Sequence, residues 1–168
     1  MPEDDPSLFK IYVQWLYTDK IFTKTNDKWG SLDYERLGHL YCLGEKLIDK
    51  QFQNRVIDAL VTGTREEFPR EEGGITTRYP TKESVDAVYK GTPIGSPARR
   101  LMVDLHVRHG AQEWIANDTM QNVEFLVDLT RALLGTRVFP DGRAREYAEL
   151  DKKTSSIPKS YYQGIESK

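Results

Sequence analysis

Cysteine is almost missing from this chain: Cys42 stands alone in 168 residues. A single thiol excludes an internal disulfide framework and a cysteine-rich zinc set. Long apolar runs are missing too. Nothing approaches the roughly 18 residues of a membrane span, and no signal-type segment opens the chain. Nor is there a surplus of positive charge, since 24 Lys and Arg face 26 Asp and Glu for a net charge of −2. A generic nucleic-acid binder needs that surplus, and neither zinc-finger spacing nor a basic region replaces it. The glycine pattern of a dinucleotide site is absent, and GTPIGS at 91–96 lacks the lysine of a phosphate loop. The expectation from these absences is a chain in a reducing, intracellular compartment, with no membrane, nucleic acid, metal or cofactor among its partners.

What is present is helical periodicity. Asp5-Pro6 reads as an N-cap followed by proline at the first helical position. After it Leu8, Phe9, Tyr12, Val13, Trp15 and Leu16 recur at three- and four-residue spacing, a stripe wide enough to be buried on most sides. A second helix is expected from about Leu32 to Leu47 with Ser31 as its cap. Gly44 in its interior costs about 1 kcal/mol against alanine and so marks a close approach of another backbone. A third runs from about Lys50 to Val61. Residues 65–80 are charged, glycine-containing and aperiodic, and read as a long mobile loop and a sub-domain boundary. Thr81 and Ser96-Pro97 give two further cap signals, Gly110 a stop, and Asn122 the cap of a last helix that carries Leu126, Leu129 and Leu133 to Gly135. From Thr136 the pattern is lost, and mixed charge with few apolar groups predicts a disordered tail over 136–168. The fold class expected is therefore all-α, a bundle or array of six to seven helices with no sheet of three or more strands.

Residues that could carry chemistry do not assemble into a complete set. His106 and His109 lie three apart on one helix with Glu113 after them, but no second helix offers a matching pair. Ser96, Asp104 and His106 form a triad only on paper, and an N-cap role explains Ser96 better. Arg99, Arg100 and Arg108 alternate with Asp104, which reads as a solvated helix face. The remaining signal is aromatic. Tyr12, Trp15 and Tyr17 crowd one helix with Phe9, and Trp and Tyr are enriched in interface hot spots.

At residues 3–24, EDDPSLFKIYVQWLYTDKIFTK, and 37–60, LGHLYCLGEKLIDKQFQNRVIDAL, the chain resembles the C-terminal half of a BTB/POZ domain, its fungal members above all. Phe9, Val13, Leu16, Tyr17 and Thr18 match the family's helix that ends in Tyr-Thr, although Asp19 stands where the family usually has glycine. Leu43-Gly44-Glu45-Lys46-Leu47 is similar to the next helix, and residues 79–134 to the helical extension of the fungal proteins. The resemblance implies BTB-like helices over 1–64 and a helical extension over 81–135. It also implies a domain without its sheet-bearing first half, whether a natural truncation, a partial gene model or an excised fragment.

The function this implies is a non-enzymatic interaction module, a partial BTB-type adaptor or scaffold, with Phe9, Tyr12, Val13, Trp15, Leu16 and Tyr17 as the partner-contact residues. The partner is a protein, with self-association included. A cullin-type ubiquitin ligase scaffold enters by family analogy only, because that surface draws on both halves of the domain. With half the domain absent, apolar surface including Tyr12 or Trp15 is expected to lie open, leaving the chain marginally stable. The alternative is a small all-α enzyme or ligand binder. That reading requires a pocket lined by several titratable groups with shifted pKa values.

Overall fold

The computed structural model describes residues 5–23, 33–69, 73–111, 114 and 122–135. Among them are six helices, α1 (Pro6–Thr18), α2 (Tyr34–Leu47), α3 (Lys50–Gly63), α4 (Lys82–Gly91), α5 (Pro97–His109) and α6 (Val123–Gly135). One two-stranded antiparallel hairpin, β1 (Glu67–Pro69) with β2 (Ile75–Thr77), lies between α3 and α4. The all-α expectation holds. Residues 136–168, expected to be disordered, lie outside the described residues.

Local chemistry sets most of the helix ends. Asp5 caps α1 by accepting from the Ser7 N–H at 2.8 Å, and Pro6 follows it. At the other end Asp19 sits in the left-handed region, φ 54°, and its N–H closes onto the Trp15 carbonyl at 2.7 Å. The cap of α2 is Asp33, bonded to the Arg36 N–H at 2.9 Å; Ser31, the cap expected from the sequence, lies outside the described residues. Asp49 caps α3 through the Phe52 N–H at 3.0 Å, and Asn122 caps α6 through the Phe125 N–H at 3.0 Å.

Two expected caps behave differently. Thr81 and Ser96 occupy the cap positions of α4 and α5, but neither side chain accepts from its helix. The Ser96 hydroxyl is buried and donates to the Tyr41 hydroxyl at 3.5 Å instead. Tertiary packing has claimed the group that the local signal assigns to the helix.

Residues 65–80 carry the hairpin where the sequence shows no period. Three residues per strand are too few for alternation to register. Among the described residues of its strands Phe68 is the buried one, with the Arg78 guanidinium 5.1 Å from the ring centre, and the Tyr34 hydroxyl donates to the Arg78 carbonyl at 2.8 Å. These contacts tie the returning strand to α2.

One apolar cluster runs from Ile11 of α1 to Leu129 of α6. Its centre is α2, which packs most extensively on α4 and then on α3. The approach is close because small residues line it. A Cβ on Gly38 would stand 3.1 Å from the Ser84 carbonyl oxygen, and one on Gly91 would overlap the Cys42 sulfur at 2.2 Å. Gly44, expected to mark a close approach of another backbone, instead makes room for side chains of α3: a Cβ there would be 2.8 Å from Gln53 Cγ, with the nearest backbone atom, Gln53 N, at 3.6 Å. Leu37, Leu40, Tyr41, Phe52 and Phe125 are fully buried in this cluster, each contributing roughly 1.5–3 kcal/mol of apolar burial.

Candidate functional site

Helix α1 has apolar residues on two faces. At about 100° per residue, Leu8, Ile11, Tyr12 and Trp15 share one side, and Phe9, Val13, Leu16 and Tyr17 share another. The first side is the inward one. Ile11 and Trp15 are buried, and the Trp15 ring lies 5.0 Å from that of Phe52 on α3. The Tyr12 ring meets Phe52 edge-on at 4.9 Å, and its hydroxyl donates to Asp49 at 3.0 Å. Arg55 of α3 then grips both carboxylate oxygens of Asp19, fixing the far end of the seam.

The second side is open. Phe9 is 49% exposed, Leu16 57% and Tyr17 86%, with Val13 half-buried between them. The structure therefore divides the six sequence-designated contact residues. Trp15, named as one that should lie open, is closed into the core, and Tyr12 is half-buried with its polar end satisfied. The start of α3 lies against that face and covers it, which a local pattern does not show. Phe9, Leu16 and Tyr17, matched to the family's Tyr-Thr helix in the resemblance, are the surface residues here.

A concavity of about 470 Å³ opens between the N-terminal end of α1 and one side of α2, from Asp33 to Lys46. Asp5, Asp33, Glu35, Arg36, His39 and Cys42 are among its lining residues. Arg36 pairs with Asp33 at 3.5 Å, and His39 Nε2 lies 3.9 Å from the Glu35 carboxylate. The Asp5 carboxyl is held below its usual range, chiefly by the Ser7 bonds of the helix cap. Burial pushes the Cys42 thiol up to about 11, and it donates to the Ala87 carbonyl at 3.3 Å. These shifts have structural causes, and a protonated thiol spent on a carbonyl is a poor nucleophile.

The histidines of α5 are occupied by packing. His106 Nδ1 lies 2.8 Å from the Met102 carbonyl, and its ring sits edge-on to Phe125 and Trp114. Burial lowers its pKa. His109 stacks on Tyr79 at 4.6 Å, and burial followed by the neighbouring Arg108 charge lowers its pKa as well. Ser96 and His106 thus have separate partners. Among the described residues no three His, Cys, Asp or Glu side chains converge as a metal-binding group.

Arg99 departs most from the sequence reading. Expected on a solvated face, it is 7% exposed. Its guanidinium donates to the Tyr89 and Thr92 carbonyls at 2.6 Å each, to Thr92 Oγ1 at 3.2 Å and to Glu124 at 2.5 Å. It also lies 4.5 Å from the centre of the Tyr89 ring. One cation so joins the C-terminal end of α4, the start of α5 and the first turn of α6. The signal was present: Arg99, Val103 and His106 recur at four and three residues, a second inward face of α5.

Comparison with protein families, with curated proteins and with solved structures finds no match for the chain. No described helix is long and apolar enough to cross a membrane.

Proposed function

We propose that this chain is a non-enzymatic protein–protein interaction module, a partial BTB/POZ-type unit of the fungal kind, which docks a protein partner on the outer face of α1. The observation that carries this reading is the exposure of Phe9, Leu16 and Tyr17 along one line of a helix whose opposite face is anchored in the core. An apolar line presented on a firmly seated helix is suited to a partner, because little ordering is needed before contact. Asp19, standing where the resemblance expects glycine, adopts the positive φ that glycine favours. An intracellular location goes with this reading.

The test is photo-crosslinking in cells from a benzoylphenylalanine placed at Tyr17, with the same group at Ile94 as control. Both positions are exposed, 86% and 90%, but only the first is on α1. A discrete crosslinked protein from position 17 and none from position 94 is expected. Equal or absent crosslinking from position 17 contradicts the reading.

A further inference from the structure

Helix α6 is seated by one face and open on the other. Phe125 and Leu129 are buried, and Asp128 reaches back to accept from the Tyr89 hydroxyl at 3.1 Å. At about 100° per residue, the opposite face gathers Val123, Val127, Thr130 and Leu134 within about 60° of one another. Val123 is 72% exposed, Val127 42% and Leu134 52%, and Thr130 is exposed with them. The Thr130 hydroxyl donates to the Leu126 carbonyl of its own helix at 2.7 Å, so the polar atom in the stripe is already satisfied.

Two patterns on this face are self-complementary. The intervals four, three and four read the same from either end. Laid antiparallel on a second α6, Val123 therefore meets Leu134 and Val127 meets Thr130, on both sides of the twofold axis. Glu124 and Arg131 share one flank of the stripe, seven residues apart. In the antiparallel pair that flank meets the same flank of the other copy, and the same register sets Arg131 of each copy beside Glu124 of the other. Both groups can reach across. Arg131 is 77% exposed and lies 3.5 Å from Asp128, while Glu124 is 65% exposed with one oxygen given to Arg99. Asp128 lies further round the helix, toward Tyr89, and stays with its own copy.

We infer that α6 is a self-association surface, pairing antiparallel with the α6 of a second copy through Val123, Val127, Thr130 and Leu134, with two Arg131–Glu124 pairs between the copies. A parallel pair would set the charged flank against the flank of Leu126 and Leu133. An unrelated partner would need neither the symmetric spacing nor the reciprocal charges. One 13-residue helix from each copy, about 20 Å long, makes a small interface, so the dimer is weak and reversible. The surface is separate from α1, and the inference does not rest on the docking reading.

The test is sedimentation of the full chain over a concentration series. The average mass should rise from one chain toward two. Val127→Asp should hold it at one, with an unchanged melting temperature at a concentration where the wild type is a single chain, since the residue is already exposed. Arg131→Glu should weaken the dimer about tenfold or more, because two opposite-charge pairs become like-charge pairs at once. Mild oxidation should link Thr130→Cys, which lies near the twofold axis. It should not link Val123→Cys, whose two copies stand about 16 Å apart along the pair. The wild type, with Cys42 buried, sets the background. A chain monomeric at every concentration overturns the inference, and so does a dimer indifferent to Val127→Asp or to Arg131→Glu. Linking from position 123 as readily as from position 130 overturns the antiparallel pair. A melting temperature lowered by Val127→Asp overturns the inference as well, by showing that the stripe is covered by its own chain.

Discussion

The Arg99 guanidinium reaches the Glu124 carboxylate at 2.5 Å while the two side chains differ sharply in burial, Arg99 at 9% exposed and Glu124 at 65%. The arginine end of this pair is committed to the core and the glutamate end is wet. The two halves should therefore fail differently. Arg99→Ala leaves the Tyr89 and Thr92 carbonyls without their donor and should cost about 3 kcal/mol or more in urea denaturation. Glu124→Gln should cost about 1 kcal/mol or less. Equal losses from the two would show that the guanidinium is not the tie between α4, α5 and α6.

Gly91 should resist any side chain. A Cβ there overlaps Cys42 Sγ at 2.2 Å and Cys42 Cβ at 2.6 Å, in the tightest part of the α2–α4 contact. Gly91→Ala is expected to destabilise by roughly 1–3 kcal/mol through overpacking. Cys42→Gly should recover part of that loss, so that the double variant costs less than the sum of the singles. Additive losses would mean that the two positions are not in contact.

Burial holds the His106 ring neutral, and the sign of its pH effect follows. A folded pKa below the ordinary value of about 6.5 means that the unfolded chain binds the proton more readily. The stability this contributes is fully present above about pH 6.5 and is lost as the pH falls below it, through the lowered folded value. His109, shifted the same way, adds to the slope. Unfolding free energies compared at neutral pH and near pH 5.5 should fall toward the acid side, and His106→Gln should flatten the dependence. An unchanged slope in that variant would assign the acid sensitivity elsewhere.

Cys42 should be slow to react. Its thiol pKa is raised to about 11 by burial, and only 8% of the residue is exposed. An aromatic disulfide reagent is expected to label it slowly in the native chain and quickly in denaturant. Rapid native labelling would mean that the thiol turns out into the concavity beside α2 rather than staying bonded to the Ala87 carbonyl.

How much of this was legible in the sequence depends on the range of the cause. Asp5-Pro6, Gly110 and Asn122 mark helix ends because a cap is decided within a few residues, and those ends are where the structure has them. Ser96-Pro97 marks the start of α5 equally well, yet the serine's hydroxyl goes to Tyr41, 55 residues away in sequence. The hairpin fails to register because its strands are short. Arg99 fails because charge is read as solvation, when a buried guanidinium needs only enough carbonyls around it. At the candidate site the difficulty is specific to α1. With apolar residues on two of its faces, periodicity identifies the helix but not which face turns inward. Trp15 is closed because Phe52 and the start of α3 lie against it, a relationship between residues 37 apart.

We propose that the outer face of α1 binds a protein and does not hold the fold together. It is tested most directly by measuring affinity and stability together in a Phe9→Asp/Leu16→Asp variant, against the partner recovered by crosslinking from position 17. Substitutions at already exposed positions should leave the unfolding free energy within about 0.5 kcal/mol of the wild type at each site. Binding should weaken by more than about a hundredfold, since each apolar anchor lost from an interface centre costs on the order of 2 kcal/mol. Undiminished affinity in a stable variant, or collapse of the fold in step with binding, would contradict it.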